Sequence, residues 1–172
     1  AKEPSQIEFI NDVSGEVVNF YRVIKREFEA LKDEVDCTLH SEFQHKQARD
    51  IYMNHTDPDK VMRAWAVYVL SHQSMFANLL GTWKISKDRN TAKQFQTKKE
   101  LFSEVYVKRL ESTSIFCRDA LRVIKSTDSE STFHYIDPSY INTNCGHYEG
   151  YTEQDFINLL EVLGEVKGTF LL

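Results

Sequence analysis

Apolar and polar positions along the chain follow two rhythms, and the change from one to the other divides it. Near the start, Gln6-Ile-Glu-Phe-Ile10 is a short apolar run that stops at Asn11-Asp12, which reads as a strand. Ser14 then stands where a helix cap belongs. The stripe Val17, Phe20, Tyr21, Ile24, Phe28 and Leu31 has helical spacing. From about 41 to 110 the pattern is helical without strand interruption. Ser41 and Gln44 have capping-box spacing, and Asp57-Pro58 reads as a helix start. The helix that follows carries Val61, Trp65, Tyr68, Val69, His72, Phe76 and Leu79 on one face, with Gly81 as its cap; His72 on that stripe reads as a satisfied, half-buried histidine. Trp83 to Lys93 breaks the period and reads as an exposed loop. A further helix from about Thr97 to Leu110 turns Leu101 and Val105 inward, with Phe102 and Leu110.

The strand rhythm then returns. Thr113-Ser-Ile-Phe-Cys117 reads as a strand, Asp119 to about Ile124 as a short helix, and Phe133-His-Tyr-Ile136 as a second strand running into Asp137-Pro138-Ser139-Tyr140. Pro138 cannot donate to a sheet ladder and restricts the residue before it, so Asp137 is placed at a strand's carboxyl end. Spacing leaves two uses open: an ordinary turn, or the sheet edge where flat, hydrogen-bonding ligands collect. Thr152-Glu-Gln-Asp155 caps a helix with Phe156, Leu159, Leu160 and Leu163 on one face and Gly164 at its end, before a last strand, Gly168 to Leu172. The expected fold is α/β: an incomplete Rossmann-like, largely parallel sheet formed by 1–40 and 111–172, with a helical insertion at 41–110. Both ends read as cut from a larger sheet.

Composition narrows the class. The 172 residues are 41% hydrophobic, enough for one real core, and no apolar run nears the 18 or more residues of a membrane span. Three widely spaced cysteines suit reduced thiols, and a soluble, cytoplasmic protein is expected. Net charge is −5, yet residues 81–125 hold 11 Lys and Arg against 5 Asp and Glu. That basic segment is either a phosphate-binding face or a solvated surface.

Three acids, Asp12, Asp119 and Asp137, each follow an expected strand. Parallel strands would gather them at one edge, suited to the hydroxyl and amino groups of a nucleoside. No tight carboxylate pair points to a metal. Cys37, His40 and His45 lack a fourth zinc ligand and standard spacing, so no metal is expected. There is no nucleophile triad and no phosphate-binding glycine loop.

Asp137-Pro-Ser-Tyr140, followed by Cys145-Gly-His-Tyr-Glu-Gly-Tyr-Thr152 and an amphipathic helix, resembles the catalytic region of Dam-type DNA adenine methyltransferases, whose motif is Asp-Pro-Pro-Tyr. Glu8 to Tyr21 resembles the family's second cofactor motif and its helix, and order and spacing agree along almost the whole chain, including a helical block with a basic loop where the family reads its target. The resemblance implies an incomplete class I fold that transfers a methyl group from S-adenosylmethionine to the exocyclic amino group of adenine in double-stranded DNA, with the base flipped out. It implies that Tyr140 stacks on the base while Asp137 and the Pro138 carbonyl accept from its amino group. Asp12 would hold the cofactor's ribose and Asp119 its adenine. Lys84, Lys87, Arg89 and Lys93 would meet DNA, and His147 and Tyr148 would lie on a loop closing over the base. A bacterial or phage-type monomer, of the kind found in restriction-modification, is the implied setting.

Two departures qualify it. Ser139 replaces the second proline, which loosens the backbone behind the acceptors. The family's glycine-containing cofactor loop does not precede Glu8, so this chain alone is expected to bind cofactor poorly and to be a poorly active or inactive fragment. Two alternatives follow: a non-catalytic DNA-binding remnant, or an amino-methyltransferase acting on RNA or protein amides.

Overall fold

The computed structural model describes residues 4–54, 58–138 and 151–172. The element order is β1 (Glu8–Asn11), α1 (Gly15–Arg26), α2 (Phe28–Cys37), α3 (Glu42–Asn54), α4 (Lys60–Gln73), a 3-10 turn (Met75–Ala77), α5 (Thr91–Leu101), α6 (Val105–Glu111), β2 (Thr113–Phe116), α7 (Ala120–Thr127), β3 (Phe133–Tyr135), α8 (Glu153–Glu165) and β4 (Thr169–Leu171). The chain forms two compact units, one of Ala1–Ile10 with Ser14–Ile115 and the other of Asn11–Val13 with Phe116–Leu172.

In the first unit α4 is the central helix. Every residue from Ala64 to Leu70 is buried, so it is apolar all round where α1, α2 and α3 are apolar on one stripe. Val23, Leu31, Val35 and Ala48 supply the facing sides. The expected first helix is two, because the chain turns at Glu27 (φ −141°, ψ 37°); the turn lets both Phe20 and Phe28 pack on the ring of Phe102. α4 opens on Asp59, whose side chain accepts the Val61 N–H, so Pro58 lies ahead of the cap; Asp57 is outside the described residues. Ser41 accepts the Gln44 N–H at 3.4 Å, but Gln44 reaches the Leu39 N–H instead, leaving the capping box half formed.

Three apolar expectations fail for one reason, that a helix ends earlier than its pattern. α4 stops at Gln73, so Phe76 leaves the stripe and is 94% exposed, while Gly81 closes a turn onto the Asn78 carbonyl. The helix expected from 97 to 110 breaks after Leu101. Leu101 and Val105 consequently face solvent, and Phe102, at the break, is buried.

In the second unit α7 and α8 pack on each other and on Ile136, just past β3, while every residue of β4 is exposed. Ile124, Leu159, Val162 and Leu163 are the unit's buried centre, with Leu121, Ile136 and Phe156 packed against them; Leu160 faces outward. Thr152 and Asp155 form the reciprocal capping box at the start of α8. The helix passes through Gly164 and ends at Glu165. β3 and β4 run parallel, with Phe133 opposite Thr169 and Tyr135 opposite Leu171. The described strands form two pairs, β1–β2 and β3–β4, in an α/β arrangement of short sheets and many helices that is compatible with a methyltransferase fold.

Candidate functional site

β1 and β2 end side by side, and the residues that leave them are clasped together. The Asp12 N–H donates to the Phe116 carbonyl at 3.4 Å. Asn11 then grips the backbone of Arg118 from both ends of its amide: Nδ2 donates to the Arg118 carbonyl (3.0 Å), and Oδ1 accepts the Arg118 N–H (3.2 Å). The Cys117 thiol donates to the Val13 carbonyl at 3.6 Å, and the Arg118 guanidinium lies over the Phe116 ring. An amide used at both ends fixes separation and register together. Asp12 and Asp119 are thereby brought to one strand end. Asn11 is the residue that composition and spacing missed, and its position beside Asp12 was the available signal.

Asp12 is half-buried and Asp119 exposed. Asp119 also caps α7, one carboxylate oxygen accepting the Arg122 N–H at 3.1 Å. Two acids fixed at neighbouring strand ends are acceptors for paired hydroxyls and an amino group, the donor set of a nucleoside.

Asp137 follows the other strand pair. The β3–β4 ladder closes with the Ile136 N–H donating to the Leu171 carbonyl at 2.9 Å, one residue before Asp137, and Pro138 has no N–H with which to continue. His134 and Ile136 turn toward α7 and α8, whereas Phe133, Tyr135 and Asp137 are exposed. The strand is held from beneath by Asp128, whose carboxylate accepts the N–H groups of Lys167 (2.8 Å) and Gly168 (3.1 Å) and meets His134 Nε2 at 3.3 Å. These bonds, the Lys167 N–H first among them, hold the Asp128 carboxyl below its ordinary pKa. Ser139, Tyr140, Cys145, His147 and Tyr148 lie outside the described residues.

The basic stretch is a stem, a loop and a helix start rather than one loop. Ser74 and Trp83 pair in an antiparallel bridge, and the Lys84 N–H donates to the Gln73 carbonyl at 2.7 Å. Ser86 Oγ accepts the N–H groups of Asp88 and Arg89, which turns the chain tightly. Asn90 caps α5 by accepting the Lys93 N–H at 2.9 Å, so Lys93 stands in a first helical turn. A cation there opposes the helix dipole, so its charge does not serve the helix. Lys87, Arg89 and Lys93 are exposed and Lys84 half-buried, none in an ion pair with another described residue.

No group of three His, Cys, Asp or Glu side chains that could hold a metal occurs among the described residues, and His45 Nε2 meets Ser74 Oγ at 2.8 Å. His72 lies edge-on to Tyr68, 4.5 Å between centroids, and burial pushes its pKa down to about 4. It is the satisfied core histidine that its position implied. No helix among the described residues is long and apolar enough to cross a membrane.

A family model for D12 class N6 adenine-specific DNA methyltransferases matches residues 1–168. The chain belongs to that family. No curated protein matches it. D12 class enzymes use S-adenosylmethionine as methyl donor, and the activity is methylation of adenine in DNA; a substrate amide in RNA or protein is not favoured. The clasped strand end carries two carboxylates, Asp12 and Asp119, which is acceptor chemistry that suits the hydroxyl and amino groups of that donor's nucleoside half.

Proposed function

We infer that Asp137 and the Pro138 carbonyl hold the target amino group, and that Asp12 and Asp119 hold the cofactor's nucleoside, in a Rossmann-like methyltransferase acting on double-stranded DNA. The observation that carries this reading is the end of the β3–β4 ladder: among the described residues its last bond is at Ile136, Pro138 has no N–H to extend it, and Asp137 between them is exposed. Two acceptors aimed at one amino group keep its lone pair free of them and directed outward. Tyr140, two residues on, supplies an aromatic face for a base taken out of the stack. S-adenosylmethionine supplies the methyl group when bound. Catalysis by this chain's residues is then positioning and electrostatics, with no covalent enzyme intermediate. His147 and Tyr148 belong to the segment that would close over the base.

The helices of 41–110 form the target-reading region and 1–40 with 111–172 the methyltransferase region; Lys84, Lys87, Arg89 and Lys93 neutralise phosphates. A monomer in the cytoplasm, where its substrate lies, completes the reading.

Asp119 separates cap from cofactor contact, because asparagine caps a helix as well as aspartate does. Asp119→Asn and Asp12→Asn are expected to weaken S-adenosylmethionine binding, measured by titration calorimetry, by about tenfold each, the scale of one charge-assisted hydrogen bond. Melting temperature should barely move. Unchanged affinity in both variants would remove the acids from the cofactor site.

A further inference from the structure

Four large apolar side chains are strongly exposed around the stem that carries the basic loop: Leu39 (69%), Phe43 (77%), Phe76 (94%) and Ile85 (67%). They come from separate segments that one buried residue ties together. Gln73 is fully buried; its Nε2 donates to the Leu39 carbonyl (2.9 Å), its Oε1 accepts the Ser41 N–H (3.1 Å), and its own carbonyl accepts the Lys84 N–H (2.7 Å). The corner between α2 and α3 is thus locked to both sides of the stem. The Met75 N–H adds a bond to the Thr82 carbonyl, and His45 holds Ser74. At the tip, Phe76 (φ 58°) and Ala77 (φ 56°) are both left-handed without being glycine, a costly backbone that turns the Phe76 ring out. An amide buried with every group satisfied adds little apolar stability and fixes geometry.

We propose that Gln73 is a positioning residue for DNA recognition, holding Leu39, Phe43, Phe76 and Ile85 as one apolar platform against the base edges while Lys84, Lys87 and Arg89 meet the flanking phosphates. It rests on the reading that the basic stretch faces DNA. Charge selects the occupant. A two-fold contact between copies of this chain would set these cations against their own kind, whereas a duplex offers phosphates outside and apolar base edges, the thymine methyl among them, within. Phosphate contacts set the salt dependence of binding, and apolar contacts do not.

The two contributions separate in titrations of a labelled duplex across salt concentrations, with the whole chain. Phe76→Asn suits the left-handed backbone, so it should keep or raise stability yet weaken binding about tenfold, as expected for one buried apolar side chain. Phe43→Ser should do likewise. In both, the slope of log affinity against log salt should stay as in the unaltered chain. Gln73→Glu keeps the acceptor for Ser41 and loses the donor to Leu39, and should lower affinity in the same way. Replacing Lys84, Lys87 and Arg89 with Gln should flatten the slope. Apolar variants that bind as the unaltered chain does would overturn the platform alone. An unaltered slope in the lysine and arginine variant would overturn the DNA-facing reading and the platform with it. Self-association in sedimentation that Phe43→Ser abolishes would assign the patch to a second copy and also overturn the proposal.

Discussion

Asp137, Asn11 and His72 show how differently single residues disclose their work. The position of Asp137 at a strand end is legible because proline chemistry is local: Pro138 has no N–H for a ladder, and the structure closes that ladder at Ile136. Asn11 is not, because its use depends on Arg118, 107 positions away. His72 was legible as a core histidine from its helical stripe, and its environment makes it a source of acid sensitivity. Burial holds its pKa at about 4, against an ordinary 6.5. Between those values the unfolded chain takes up a proton that the folded chain refuses, so stability falls as pH drops below about 6.5 and levels off below about 4. His40 and His45 are lowered chiefly by burial too and add in the same direction. His72→Gln is therefore expected to lose less stability between pH 7.5 and pH 5 in urea unfolding. An equal loss would show that His72 is protonated without penalty in the fold.

Among the elements, strands were legible to within a residue or two, whereas the end of α4 and both ends of the helix expected at 97–110 were not. Thr152 and Asp155 announce α8 because both halves of the capping box lie within four residues. Phe76 and Leu101 were misplaced because their helices stop where tertiary bonds take over: Gln73 turns to the α2–α3 corner, and Phe102 turns into a ring cluster with Phe20, Phe28 and Tyr68. β4 depends on a close approach of the same nonlocal kind. A Cβ on Gly168 would sit 2.3 Å from the Thr132 carbonyl oxygen, beside the bond from the Thr169 N–H to that oxygen. Gly168→Ala is expected to destabilise by about 1–3 kcal/mol, as overpacking does, and to loosen β4 from β3. Chemical denaturation checks it, with Gly164→Ala as the control, since nothing lies within 4 Å of that position. Equal effects at the two glycines would show that the contact with Thr132 yields.

At the scale of the whole molecule, the α/β character and the family were legible. The first unit takes in α1 and α2 along with the helices from 41 onward, because α4 needs their apolar stripes on its sides. Hydrophobic period reveals that a helix has a buried face and says nothing of which neighbour buries it. The expected gathering of three acids was reached for Asp12 and Asp119 through Asn11, with Asp137 on the second strand pair. The central claim is that Asp137 presents adenine's amino group in DNA for methylation, and it is tested most directly by the product. Labelled S-adenosylmethionine and an adenine-containing duplex are incubated with the unaltered chain and with Asp137→Ala, and the digested DNA is resolved by mass spectrometry. The label is expected in N6-methyladenine alone, with the rate in Asp137→Ala down about a hundredfold or more, the scale of losing a group that stabilises the transition state. Label on another base, or an equal rate in Asp137→Ala, would contradict it.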